Sequence, residues 1–337
     1  LSDLGIVTIG RNEGERLRRC LNSLVGRGVP VVYADSNSTD GSIELAHSLG
    51  VETVALDLSQ PIGVPRARNE GFDRLCQIAP DIRYVQFIDG DCEMVDGWLE
   101  RGRQALETRS DVALVTGRRR ELFRERTIYN RLADMEWDMP VGEIDSSHGD
   151  IMIRADAFRK IGGFDPTVLV SEDFELCLRL RRAGWVLLRI DEEMSRHDLG
   201  MTRFRQWWWR NVRSGYGFAD GMLLHGKSPE RHYVRDVRSI LFWGVALPLI
   251  ILVLAWPTKG ASLVLAVGYL VSYSRIRRYA LGRGWSAADA ALFARFCILA
   301  KFPNAWGLFT FWFRRIARRE RRIIEYKGVA TRARVET

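Results

Sequence analysis

The 337-residue sequence predicts an α/β fold: a mixed, mostly parallel sheet flanked by helices, followed by a C-terminal set of membrane-associated helices. Three observations carry that expectation. Short apolar runs alternate with helical apolar spacing over residues 6–88. Two of those runs end in a carboxylate, Asp35 and Asp89, the edge where α/β sheets bind ligands. The charge balance then inverts. Residues 1–200 hold 26 basic and 35 acidic side chains, a balance of −9, and residues 201–337 hold 24 and 7, a balance of +17. The formal net charge of +8 is the sum of two unlike halves.

The elements follow in chain order. Residues 6–9 are apolar and read as a buried strand, because the run is too short for an export signal. Leu17, Leu21, Leu24 and Val25 share one helical face. Residues 29–34 form a second apolar strand, and the Ser-, Asn- and Asp-rich segment 35–42 is a turn. Ser38 or Asp40 is placed to cap a helix over 43–49. Residues 51–56 and 84–88 are further strands, with a helix over 67–78 between them.

Past Met201 the pattern changes to three apolar stretches, 240–256, 261–273 and 290–313. A spanning helix needs about 20 apolar residues, with roughly 17 as the lower limit. The first stretch meets that limit, and the second reaches it only if Arg275 snorkels. The third is interrupted by Arg295, Lys301 and Pro303 and reads as an interfacial or re-entrant segment. The arginines at 275, 277 and 278, and the basic tail 314–322, then face the cytoplasm by the positive-inside rule. Core helices of a second soluble unit would show the same composition. The expected division is a catalytic region over 1–217 and a membrane-associated region over 218–337.

With 47% hydrophobic and 27% charged residues, a disordered or collagen-like chain is excluded. The five cysteines are scattered with no C-x-x-C pair, which excludes a dense disulfide framework or a structural zinc site. Three local patterns carry chemistry. Asp89-Gly90-Asp91 closes a strand, and two carboxylates on a tight turn suit a hard divalent cation, although solvated acidic turns share the pattern. Ser171-Glu172-Asp173 opens a helix, where acids either cap the dipole or serve as a general base. Gly63-Val64-Pro65-Arg66-Ala67-Arg68-Asn69 opens another helix with two arginines, suited to a diphosphate or to surface ion pairs.

Taken in order, these segments resemble the family-2 glycosyltransferases, which have the GT-A (Rossmann-like) fold. Val7-Thr8-Ile9-Gly10-Arg11-Asn12-Glu13 is similar to the family's first strand and Asn-Glu turn. The segment 32–42 is similar to its nucleotide-binding strand end, and Arg66-Ala67-Arg68-Asn69-Glu70-Gly71 to its A-R-N-x-G element. Asp89-Gly90-Asp91 stands at the D-x-D, Gly149-Asp150 with Gly162-Gly163-Phe164-Asp165 at the acceptor side, and Glu172-Asp173 at the E-D motif. The resemblance covers about residues 4–217.

It implies a sugar-nucleotide site built from Ile9, Arg11, Asn12, Glu13, Asp35, Arg66, Asn69, Asp89 and Gly90. It further implies a Mg²⁺ or Mn²⁺ ion on Asp91, Asp89 and His197, with Asp173 as catalytic base beside Glu172. Gly149, Asp150, Trp208 and Arg210 fall on the acceptor side. The implied reaction is inverting transfer of a sugar, UDP-linked, to a hydroxyl of a membrane or lipid-linked acceptor. The implied setting is a bacterial-type cell membrane with the catalytic domain facing the cytoplasm, in surface polysaccharide or glycolipid synthesis. Nucleic acid is not an expected partner, because the arginines of the basic half flank apolar segments and tryptophans. Two departures stand out. Gly10-Arg11 replaces the Pro-x of many relatives, and Gln206-Trp207-Trp208-Trp209-Arg210-Asn211 lacks the Q-x-x-R-W spacing of processive members. A metal-using nucleotidyltransferase and a non-catalytic membrane interaction protein are the alternative readings.

Overall fold

The computed structural model describes residues 1–318, so Arg319, Arg321 and Arg322 of the expected basic tail lie outside the described residues. The chain forms two compact units: Leu1–Arg124 with Glu136–Leu199, and Glu125–Met135 with the chain from Gly200 onward. Residue 217, the expected boundary, lies within a continuous helix over Phe204–His225.

The first unit is a nine-stranded mixed sheet with helices on both faces. Its elements are β1 (Leu4–Gly10), α1 (Glu15–Leu24), β2 (Val31–Asp35), α2 (Ser42–Ser48), β3 (Glu52–Ala55), α3 (Val64–Ile78), β4 (Tyr84–Asp89), β5 (Cys92–Met94), α4 (Trp98–Thr108) and β6 (Val112–Glu121). After α5 (Ile128–Trp137), most of which belongs to the second unit, come β7 (Gly142–Glu143), β8 (Ile151–Arg154), α6 (Ala155–Lys160), α7 (Glu172–Arg182) and β9 (Val186–His197). The strand order is β3-β2-β1-β4-β8-β6-β9-β5, with β7 on β9.

The four strands from β3 to β4 are parallel, as is β6 with β9, whereas β8, β5 and β7 run antiparallel to their neighbours. The central strands are apolar on both faces because both are covered. Val7, Ile9, Val32, Val85 and Phe87 pack against Phe72, Leu75, Phe158 and Leu176. Leu4, Ile6, Tyr84 and Ile88 pack on the other side against Leu17, Leu21, Leu24 and Trp98. Register then aligns the site. Asp35 pairs with Gly10, and Asp89 with Ile9, so both carboxylates emerge at the same edge of the sheet. The acidic run Asp191, Glu192 and Glu193 is part of β9, which runs unbroken to His197 because β6 pairs along it to Glu121.

The second unit holds α5, α8 (Phe204–His225), α9 (Val234–Leu241), α10 (Leu247–Ala255), α11 (Val267–Gly282), α12 (Ala287–Leu299) and α13 (Lys301–Ile316). A π-helical turn over Phe242–Ala246 joins α9 to α10 into one continuous helix, Val234–Ala255. Pro248 follows that turn; its missing N–H and ring would disrupt a regular α-turn, and a π-turn relieves both. Among the described residues this is the one helix long and apolar enough to cross a membrane. The second apolar stretch starts as a 3₁₀ segment, Ala261–Ala266, which continues into α11. The two legs are tied at both ends: Ser262 Oγ donates to Ile251 O at 2.8 Å, and Tyr269 OH to Trp243 O at 2.5 Å. The third stretch breaks at Ala300 into α12 and α13.

Helices α8 and α13 meet through small residues. A Cβ at Gly307 would lie 2.0 Å from Val212 O, and one at Gly215 2.0 Å from Asn304 O. Trp207 packs edge-on against Phe296 of α12, and Arg131 of α5 pairs with Asp289 at 2.5 Å.

Candidate active site

The site is built at the ends of β4 and β9 around two buried guanidinium groups. Arg68 is 2% exposed and bridges three acids. Its Nη2 donates to Asp89 Oδ1 at 2.9 Å, and its Nη1 to Asp173 Oδ1 at 2.5 Å and Glu172 Oε1 at 3.3 Å. The guanidinium lies 5.0 Å over the Phe164 ring. Arg119 makes a parallel tie. Its Nε donates to Asp150 Oδ2 at 2.9 Å and its Nη2 to Asp89 Oδ2 at 3.3 Å, with Trp137 under it. The two carboxylate oxygens of Asp89 are thereby held by different arginines. Gly149 sits directly on this arrangement: a Cβ there would lie 2.7 Å from Arg68 Nη2 and 2.9 Å from Asp89 Oδ2. Only a residue without a side chain fits at that approach.

Asp150 is fully buried and accepts from Arg119, from Ser195 Oγ at 2.5 Å and from the Asp89 N–H at 3.2 Å. Expected on the acceptor side, it instead fixes the end of β4 from within. Burial alone would raise its pKa, but the charge and hydrogen bonds of Arg119 and the Ser195 hydroxyl hold it low. Asp173 is the opposite case. Burial pushes its pKa up to about 7, Glu172 and Asp89 adding to the rise while Arg68 opposes it. It occupies the first turn of α7, after Ser171 in the left-handed region (φ 66°).

A second cluster lies where β5 pairs with β9. Cys92 stands opposite His197 in that register, which brings His197 Nε2 to 2.8 Å from Asp91 Oδ2. The imidazole is 6% exposed and lies tilted against the Trp137 ring at 4.7 Å, and its Nδ1 is buried with no hydrogen-bond partner. The ligand atoms of Asp91, Cys92 and His197 lie within 4.8 Å of one another. A carboxylate beside an imidazole, one of whose ring nitrogens is buried and orphaned, fits a divalent cation. The Cys92 thiol is the weaker donor, because burial pushes its pKa well up. Arg19 of α1 braces this hairpin from the side: it donates to Glu93 at 2.8 Å and to Asp198 at 2.7 Å.

The remaining expected residues fall as follows. Asp35 is fully buried, accepting from Tyr33 OH and from Ser38 N at 2.7 Å each. Asn12 has φ 54° and joins the same loop, its Oδ1 accepting from Thr39 N at 2.7 Å. Arg11 is exposed, Glu13 pairs with Arg16 at 2.8 Å, and Ile9 and Gly90 lie at the adjoining strand ends. Arg66 and Asn69 are engaged away from Asp89. Arg66 bonds Glu70 and the carbonyls of Asp57 and Gln60, and Asn69 clasps the backbone N–H and C=O of Phe164. The α3 cation that reaches Asp89 is Arg68, which shares the inward face of the helix with Phe72 and Leu75 at i+4 and i+7. Helical periodicity therefore distinguishes the two arginines. Arg119 has a similar signal: strand alternation places the middle of three arginines on the buried face with Val115. Trp208 and Arg210 belong to α8 in the second unit, where Trp208 packs 5.9 Å from Phe204.

Comparison with known proteins agrees with this architecture. Residues 6–161 match the family described as glycosyl transferase family 2, and residues 84–312 match glycosyl transferase family group 2. The chain is 30% identical over 237 residues to the pre-mycofactocin glycosyltransferase of Mycobacterium tuberculosis, covering 66% of this chain and 48% of that protein. It is 27% identical over 226 residues to the succinoglycan biosynthesis protein ExoA of Rhizobium meliloti, covering 64% and 66%. It thus spans about half the length of the mycobacterial relative. In fold it is similar to the mannosyltransferase PcManGT of Pyrobaculum calidifontis, solved with GDP-Man and Mn²⁺. That likeness has a TM-score of 0.58 at 18% identity over 90% of this chain and 87% of that one. With a mixed α/β sheet, carboxylates at its ligand edge and a family match over more than half its length, the chain belongs to the family-2 glycosyltransferases.

Proposed function

We propose that the chain transfers a sugar from a nucleoside-diphosphate sugar, UDP-linked, to a hydroxyl of a membrane lipid or lipid-linked acceptor, with inversion at the anomeric carbon. The observation that carries this reading is the pairing of Asp173 with Arg68 and Asp89 beside the Asp91–His197 cluster. One buried carboxyl near neutrality stands next to a site fitted for a divalent ion. The names of the relatives and the GDP-Man and Mn²⁺ held by PcManGT support the donor class.

Asp91 and His197, with Asp89 alongside, would hold Mg²⁺ or Mn²⁺, which supplies charge neutralisation for a leaving diphosphate. Asp173 takes the proton from the attacking acceptor hydroxyl, a role matched by a carboxyl that titrates near pH 7. Arg68 orients Asp173 and Asp89 together, so the base and the donor-side carboxylate keep one spacing. Arg119 and Asp150 fix the other edge of Asp89. Asp35 and the 35–42 loop serve the nucleobase, and the 11–13 turn adjoins it through the Asn12–Thr39 bond.

Membrane attachment through the Val234–Ala255 helix is part of the reading, with the arginines of α11 on the cytoplasmic side and the catalytic unit facing the same compartment. A screen of UDP- and GDP-linked sugars with membrane lipid extract, read as released nucleoside diphosphate, tests it. Release of pyrophosphate would assign a nucleotidyltransferase instead. Asp173→Asn lowers turnover by about 10²–10⁴ and retains donor binding by calorimetry. Near-normal turnover in that variant removes Asp173 as the base.

A further inference from the structure

An open groove lies within the second unit, between the Val234–Ala255 helix and α13. The two helices touch near their starts. Lys301 Nζ donates to Ser239 Oγ at 3.0 Å, and a Cβ at Gly244 would lie 2.5 Å from Lys301 O. Past that contact they leave a groove of about 730 Å³, walled by Pro248 and Leu249 on one side and by Trp306, Phe309 and Phe313 on the other.

The faces of α13 explain the groove. Asn304, Gly307, Leu308 and Phe311 are buried, with Gly307 against the α8 backbone. Phe302, Trp306, Phe309, Phe313 and Ile316 repeat at spacings of four and three, so they form one stripe, and it stays 36–80% exposed. An aromatic stripe opposite a packed face is the construction of a helix lying in a membrane interface. The neighbouring Val234–Ala255 helix is long enough to enter the hydrocarbon, so the groove opens toward lipid. Its one charged lining residue is Arg314, half-buried at the far end of α13 with its guanidinium 6.0 Å over the Tyr216 ring, and Arg315 and Arg318 nearby in sequence are exposed. The C-terminal end of a helix favours cations, and a guanidinium pairs with phosphate.

We propose that this groove binds one anionic phospholipid, with a hydrocarbon chain between Leu249 and the Phe309–Phe313 wall and the phosphate at Arg314. The site depends on the membrane attachment proposed above and not on the sugar-transfer chemistry. An enzyme that fails to transfer sugar still reports on it.

The test uses the full chain, delipidated in neutral detergent, and native mass spectrometry with dioleoyl phosphatidylglycerol, dioleoyl phosphatidylcholine or glycerol phosphate. One phosphatidylglycerol binds at least tenfold more tightly than phosphatidylcholine, and glycerol phosphate, lacking chains, leaves no adduct. Thr310→Trp, which fills the groove from α13, loses at least tenfold for both lipids. Should that variant fold poorly, Val245→Trp fills the groove from the other wall and gives the same loss. Arg314→Gln binds both lipids alike. Undiminished lipid binding in the filled variants, or an unchanged phosphatidylglycerol preference in Arg314→Gln, overturns the proposal. A dimer that dissociates on filling the groove assigns it to a second copy and overturns it too.

Discussion

The two units hold themselves together by opposite means. In the first, the sheet buries charges at its ligand edge: Arg68 and Arg119 are drawn into the interior, with Asp89, Asp150, Asp173 and Glu172 around them. In the second, α8 and α13 join through glycines, with backbone against backbone. A buried ion network is weak as a source of stability but sharp as a source of geometry, because each charge fixes its neighbours' positions. Close contact between small residues does not rely on water expelling apolar surface, which would suit the membrane attachment proposed above. The ligand edge of the sheet and the α8–α13 contact are thus held by different physics in one chain.

The contrast predicts different failures. Arg68→Met leaves Asp89, Asp173 and Glu172 without their shared cation, and uncompensated buried charge costs about 3–5 kcal/mol. Urea unfolding monitored on the first unit reads that loss. A change under about 1 kcal/mol would mean that water or rearrangement replaces the guanidinium, and the network would be incidental to the fold.

Gly307→Ala tests the other half. A helix interior gains about 1 kcal/mol when Gly becomes Ala. Here the new methyl would meet Val212 O at 2.0 Å and Tyr216 N at 2.7 Å, which are backbone atoms that do not move aside. Overpacking wins, with a net loss of about 1–3 kcal/mol and a lower thermal midpoint. Gly282→Ala is the control: nothing lies near its Cβ position, so stability holds or rises.

How much of this was legible in the sequence differs between the units for the same physical reasons. Continuous apolar runs and period-3.6 apolar patterns gave the strands and helices up to β4, because burial on both faces leaves a strong signal. The strands after β4 carry mixed patterns. β9 is buried toward both ends but has Asp191, Glu192 and Glu193 mid-strand, which reads as a turn. At the site, residue types were legible and orientations were not. Asp89, Asp91, His197 and Asp173 stood out by chemistry. Choosing between Arg66 and Arg68 required the helical face, and Arg19 lies 74 residues from Glu93 and 179 from Asp198, a proximity only the folded chain creates. In the second unit the apolar stretches were visible, but the π-turn before Pro248 and the break at Ala300 within them were not.

The smallest effect is a pH limb. Asp173 titrates near 7 chiefly because it is buried, with Glu172 and Asp89 adding to the rise. Only its ionised form accepts a proton, so log kcat/KM climbs with unit slope below about pH 7 and flattens above it. Removing one of the neighbouring charges separates burial from repulsion. Glu172→Gln keeps the side-chain volume and shifts the limb to lower pH by less than about one unit, because burial is the larger cause. The stability effect runs the other way. A carboxyl whose folded pKa lies above its unfolded value near 3.9 binds more protons folded than unfolded, so its contribution is complete below pH 4 and fades as pH rises to about 7. A single carboxyl explains both only if the stability decline ends where the activity limb bends, near pH 7. An end point more than a unit from that bend would assign the limb to another group and leave Asp173 a structural partner of Arg68.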